Sequence, residues 1–168
     1  MPVAELLTAR DMARHTELRA LGPDLLGTAF DRDEVVRRMR ARGRDAIADV
    51  LLNQRVVAGI GNVFKSEILF LAGIHPFAPV STLPDADLPR LVDIAREQLA
   101  ANVLTRAQTL TPSIGRRTTR SLDPNSKLWV YGRGGKPCRR CGATIQSRKT
   151  GLDARLTYWC PRCQPAER

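Results

Sequence analysis

The chain has 168 residues, 43% of them hydrophobic but only 5% aromatic, so Leu, Val, Ile and Ala must build whatever core it buries, in one medium domain or two small ones. Its net charge of +10 is uneven: residues 116–168 hold 13 Lys and Arg against 3 Asp and Glu, while residues 1–115 hold 14 of each. No apolar run reaches about 18 residues and no basic amphipathic helix accompanies the charge, which argues against a membrane and for a polyanion, since Lys and Arg gain affinity by releasing counterions from phosphates.

Residues 1–30 hold a short apolar stretch, Val3 to Leu7, and a Gly22-Pro23 break, and read as a connecting segment. Asp31 is placed to cap a helix through Arg42. Asp33 and Glu34 suit its first turn, Val35, Val36 and Met39 share a face, and Gly43 stops it. Asp45 is placed to cap a second helix, Ala46 to Gln54, in which Ile47, Val50, Leu51 and Gln54 recur at helical spacing. Val56 to Gly61 breaks that period.

In Gly59-Ile60-Gly61-Asn62 the glycines permit positive φ and close backbone approach, Ile60 plugs into the core, and a third helix begins at Asn62 or one residue later. Val63, Phe64, Ile68, Leu69 and Leu71 point it inward, and it ends near Gly73, before Pro76. A turn of this kind, with backbone N–H groups at a helix N-terminus, cradles phosphate. The competing reading is a structural turn with Asn62 as an ordinary cap. Pro84 to Val103 makes a fourth helix, with Leu88, Leu91, Val92, Ala95 and Leu99 on its buried face, and residues 31–104 thus form a helical unit.

Residues 105–126 crowd Thr, Ser, Arg, Gly and Pro together and read as a mobile basic loop. Lys127 to Tyr131 alternates enough to begin a strand. Ala154 to Trp159 forms the second strand of a hairpin, with Leu156 and Tyr158 on one face and Arg155 and Thr157 on the other. Four cysteines bracket that hairpin as Cys138-x2-Cys141-x18-Cys160-x2-Cys163, the spacing of a tetrathiolate zinc site. With all four vertices taken by sulfur no position remains for water, so one structural Zn²⁺ is expected. Paired disulfides would need an oxidising compartment, and the first 30 residues carry Glu5, Arg10, Asp11 and Arg14 with no apolar signal core. His15 and His75, the only histidines, stand in no catalytic or metal spacing, and Asp49 and Glu67 read as capping or ion-pairing groups.

Leu52-x-Gln54-x4-Gly59-Ile60-Gly61-Asn62-x4-Glu67-x-Leu69, followed by Gly73-Ile74-His75-Pro76, resembles the helix-two-turns-helix signature of the formamidopyrimidine-DNA glycosylase and endonuclease VIII family. Trp129 to Arg133 leading into Cys138-Arg139-Arg140-Cys141-Gly142, and Arg155-Leu156-Thr157-Tyr158-Trp159-Cys160-Pro161 through Gln164, resemble its C-terminal zinc finger, in wording closer to the endonuclease VIII branch. The resemblance implies a mostly α fold with a small β zinc finger, residues 127–168 being the finger. It implies that Asn62, with the amides of Gly59 and Gly61, and Arg155 bind phosphates flanking a damaged nucleotide, and that Cys138, Cys141, Cys160 and Cys163 hold zinc. It also makes residues 105–121 the counterpart of a segment that closes over a flipped base in some relatives.

In that family a β-sandwich precedes the helices and opens on a catalytic proline followed by a glutamate. Here Val3 follows Pro2, so Pro2 is not taken as a nucleophile, and residues 1–30 read as a passage from an absent sandwich into the helices. The expectation is the duplex-DNA-binding part of a base-excision-repair glycosylase and abasic-site lyase, catalytically inactive by itself and cytoplasmic at the nucleoid. A protein partner or self-association through the surface left by the sandwich is also expected. A non-catalytic DNA-binding module, or an RNA- or ribosome-binding zinc ribbon, stays open. All of this requires Asn62 and Arg155 to face one cationic trough.

Overall fold

The Asp31 carboxylate accepts hydrogen bonds from the backbone N–H of Asp33 and Glu34 at 3.0 and 3.1 Å, and so opens the first helix among the described residues, α1, Arg32–Arg40. A computed structural model describes residues 20–103, 116–119, 121, 123–150 and 155–166. Pro2, Val3 to Leu7, His15, Ala154 and the greater part of 105–121 lie outside the described residues. Three more helices follow, α2 at Ile47–Leu52, α3 at Asn62–Ala72 and α4 at Asp87–Ala101, then one antiparallel hairpin of β1, Gln146–Thr150, and β2, Arg155–Trp159. The fold is mostly helical with a small β finger.

The second helix is shorter than its periodicity suggests. Asp45 does not cap it; its first N–H groups, those of Ile47 and Ala48, are taken at 3.0 Å by the carbonyls of Ala78 and Pro76 across the fold. Gln54 leaves the helix altogether. Its Nε2 donates to Ile60 O at 3.0 Å and its Oε1 accepts from Gly59 N at 3.1 Å, so the residue that continues the helical period in sequence braces the glycine turn instead. That turn needs Gly59 at φ 105°, a conformation other residues rarely adopt. Helix α3 ends on Gly73, left-handed at φ 67°, and α4 buries Leu88, Leu91, Val92, Ala95 and Leu99.

Two cores result. The larger gathers Leu25, Met39, Ile47, Leu51, Ile60, Ile68, Leu91 and their neighbours from all four helices. The smaller joins Phe70 of α3 to Val130, Cys138, Ile145 and Cys160 of the finger. Helix α3 is common to both, which is why eight of its eleven residues are buried, Lys65, Ser66 and Glu67 among them. Of the five residues expected to point inward, Phe64, Ile68 and Leu69 are buried while Val63 and Leu71 are only half-buried, and the finger packed on the far side buries polar residues in addition.

Residues 127–131 form no strand. Trp129, Val130 and Tyr131 turn their N–H groups at 2.8 Å onto the Glu67 carboxylate. On β2 the fully buried side chain is Thr157, beneath α3, while Leu156 is 38% exposed and Tyr158, on the same face as Leu156, is half-buried against the finger core. Within 105–126, Thr118 and Thr119 are buried and donate N–H to Lys127 O at 2.9 and 3.2 Å, an anchored stretch where a mobile loop was expected. Leu21 and Leu26 are exposed apolar side chains on the helical side.

Candidate metal centre and nucleic-acid interface

The cysteine sulfurs converge. All four Sγ atoms lie within 4.8 Å of one another, with Cys138 to Cys163 at 4.0 Å and Cys141 to Cys160 at 3.4 Å. A tetrahedron of Zn–S bonds of about 2.3 Å has edges of about 3.8 Å, so the donor set and its spacing fit Zn²⁺. The first knuckle is closed by Gly142 N donating to Cys138 O at 2.9 Å and Cys138 N donating to Ala143 O at 2.8 Å. An N–H from Ala143 draws the Cys141 thiol down to about 7, whereas burial pushes the Cys160 and Cys163 thiols up, so the metal must displace protons that two of its ligands hold firmly.

The finger is latched to α3 by polar groups. Glu67 accepts from the N–H groups of Trp129, Val130 and Tyr131 and from the Thr118 hydroxyl. Gln164, fully buried, accepts from Cys160 N at 3.0 Å and donates to Ile74 O at 2.8 Å. Tyr158 N donates to Ser66 Oγ at 3.4 Å. Phe70 stacks on Trp129 with ring centres 5.4 Å apart, and the Arg140 guanidinium lies 4.5 Å from the Phe70 ring centre.

Beside these latches stands the glycine turn. Gly61 is the N-cap of α3, with extended backbone, and a Cβ built on it would meet nothing within 4 Å. Only Gly59 of the pair uses positive φ. Asn62 caps nothing. Its Nδ2 donates to Leu156 O at 3.1 Å and its Oδ1 accepts from Lys65 Nζ at 2.7 Å. The carbonyl it grips belongs to the neighbour of Arg155 on β2, so Asn62 and the strand that carries Arg155 meet at one place. Arg155 is exposed, and its charge helps push the Lys65 ammonium down.

The basic excess of the finger is partly spent inside the protein. Arg133 donates to Trp129 O and Pro137 O, Arg139 to Leu128 O and Asn125 O, and Arg148 lies 3.7 Å from the Phe77 ring centre. Sequence reasoning missed Lys65 and Gln164, and it reads Glu67 as a capping or ion-pairing group where the structure has it accepting backbone N–H groups of the finger. The available signal was the run Lys65-Ser66-Glu67 interrupting an apolar helix, where polar side chains persist only if something pairs with them.

Residues 21–113 match the formamidopyrimidine-DNA glycosylase H2TH domain, and residues 135–166 match the zinc finger found in FPG and IleRS. The chain belongs to the formamidopyrimidine-DNA glycosylase and endonuclease VIII family. It is 39% identical over 172 residues to the probable endonuclease 8 2 of Streptomyces coelicolor, covering all of this chain and 58% of that protein. It is 44% identical over 146 residues to the DNA-(apurinic or apyrimidinic site) lyase Nei2 of Mycolicibacterium smegmatis, covering 87% of this chain and 53% of the relative. Its fold matches the Lactococcus lactis Fpg solved in complex with DNA containing an abasic site, at 32% identity and a TM-score of 0.73, over 95% of this chain and 57% of that one. The chain therefore spans a little over half the length of these family members. Among the described residues no helix is long and apolar enough to cross a membrane.

Proposed function

We propose that this chain is a zinc-dependent DNA-binding unit that grips the sugar–phosphate backbone of damaged or abasic duplex DNA. Its clamp has two jaws. One is the glycine turn, with the Asn62 amide and the N-terminal N–H groups of α3; the other is Arg155 on β2, whose planar guanidinium suits a bidentate phosphate contact. The observation that carries this reading is the hydrogen bond from Asn62 to Leu156 O, which binds the two jaws into one surface. The open space over Gly61 favours it too, since a phosphate can approach the backbone there without displacing a side chain. Zinc takes no part in chemistry. It holds the finger so that β2 lies against α3.

Pinching the backbone on both sides of a lesion is what extrusion of a nucleotide needs, because unstacking costs a few kcal/mol that phosphate contacts must offset. Base removal and strand cleavage belong to the whole enzymes of the family. Borohydride trapping on abasic-site DNA tests whether this unit binds without cutting, and the expected result is no covalent adduct. Where a second polypeptide joins it, the exposed Leu21 and Leu26 mark apolar surface for the contact.

The test is fluorescence anisotropy on intact, abasic and oxidised duplexes at one fixed salt concentration, with structured RNA as competitor. Asn62→Ala and Arg155→Ala should each weaken duplex binding. Wild-type affinity in both variants, or displacement by RNA in preference to duplex, would overturn the assignment.

A further inference from the structure

The polar side chains between α3 and the finger are not alike. Glu67 and Gln164 satisfy buried backbone groups within the protein. Lys65, fully buried, does something else: its Nζ donates at 2.7 Å to Asn62 Oδ1 and at 2.7 Å to Thr157 Oγ1, and Asn62 is half-exposed at the mouth of the glycine turn. Both acceptors are uncharged. An ammonium only donates, so Oδ1 of Asn62 must face it and the NH₂ must face away from it, toward Leu156 O.

We infer that Lys65 is the buried third element of the phosphate grip: it fixes which way the Asn62 amide points, ties the glycine turn to β2, and places a positive charge one hydrogen bond behind the group that meets phosphate. This rests on the phosphate-binding reading above, and makes Lys65 a positioning residue that does not itself touch DNA.

The electrostatics of the site agree with the geometry. Two charged groups act on Lys65, Asp49 from α2 and Arg155 from β2; Asn62 and Thr157 face it as neutral partners. Burial, with Arg155 adding to it, pushes the Lys65 ammonium from lysine's ordinary 10.5 to about 8, against the pull of Asp49. A phosphate arriving at Asn62 and Arg155 favours the ammonium directly and cancels the Arg155 repulsion, so the charged form gains most in the complex. Binding therefore takes up a proton. Affinity is fully developed below about pH 8 and declines as pH rises above it.

The experiment is anisotropy of the zinc-loaded chain on a duplex bearing a stable abasic-site analogue, at fixed salt, from about pH 7 to about pH 9.5. Wild-type affinity should fall about tenfold across that range. Lys65→Met, checked for unchanged helical circular dichroism and zinc content, should bind about tenfold more weakly at neutral pH and show a flat profile, because the Asn62 amide is then unheld to the same degree at every pH. Lys65→Arg should recover part of the affinity and none of the pH dependence, because a guanidinium does not titrate there. A flat wild-type profile overturns the inference with no variant needed, as does a Lys65→Met protein with wild-type affinity and pH slope. If Asn62→Ala and Arg155→Ala weaken binding while either result holds, only the role of Lys65 falls; if those two variants bind normally, the phosphate grip itself is wrong.

Discussion

Replacing Glu67 with alanine should undock the finger while leaving the zinc knuckle closed. In the folded chain one carboxylate accepts three successive backbone N–H groups, those of Trp129, Val130 and Tyr131, each at 2.8 Å, together with the Thr118 hydroxyl. Val130 and Glu67 are fully buried. A hydrogen bond to a carboxylate contributes roughly 1.5–3 kcal/mol net, and a buried donor left without a partner costs roughly 1–3 kcal/mol. Three orphaned donors do not add in full, because the turn relaxes and water enters, so a loss of about 3–5 kcal/mol is expected. That is a large share of the roughly 5–15 kcal/mol that stabilises an ordinary domain.

Glu67→Gln keeps the volume but turns an NH₂ toward N–H donors, and should lose about 2 kcal/mol. Urea titration of the zinc-loaded chain tests both variants, with far-ultraviolet circular dichroism reporting the helices and tryptophan fluorescence the packing of Trp129 on Phe70. In Glu67→Ala the fluorescence transition should move to lower urea and separate from the helical one, and DNA affinity should drop because β2 no longer holds Asn62. Coincident transitions within about 0.5 kcal/mol of wild type would show that the three N–H groups do not depend on this carboxylate.

Arg155→Ala should weaken binding almost equally across DNA sequences and flatten the plot of log affinity against log salt by about one, since a phosphate contact carries no base information; a changed sequence preference would count against it. Gly61→Ala should cost stability only about 1 kcal/mol or less, because the added methyl meets open space and alanine is merely a poorer cap, yet it should reduce affinity several-fold by standing where the backbone of DNA approaches; unaltered binding would move the cradle elsewhere. Chelating the metal should abolish the near-ultraviolet signal of Trp129 and Trp159 while the helical signal persists, because the larger core contains no finger residue; a surviving signal would mean the finger packs without zinc. Stability should rise as pH climbs from about 8 toward 10.5, since the unfolded chain then holds a proton on Lys65 that the folded chain has released; calorimetry showing the same rise in Lys65→Met would assign it to another group.

Local chemistry alone determined much of this protein. Four thiols in paired knuckles select tetrahedral zinc whatever surrounds them, Asp31 caps the first helix through its own side chain, and the apolar spacing of α4 marks its buried face without reference to a partner. The glycine turn offers a candidate phosphate cradle by its local chemistry, with a structural turn as the competing reading, whereas the phosphate role of Arg155 comes from the family resemblance and from nothing in its local sequence.

Only the tertiary structure decided which polar groups matter between the two units. Gln54 completes a helical period in sequence yet braces a turn, residues 127–131 alternate like a strand yet give their N–H groups to a helix 62 to 64 residues away, and Lys65, which the sequence reading passes over, is buried where β2 covers it. The physical reason is common to all three. A backbone or side-chain polar group must find a partner once water is excluded, and what excludes the water here is a segment distant in the chain, whose approach no local periodicity encodes.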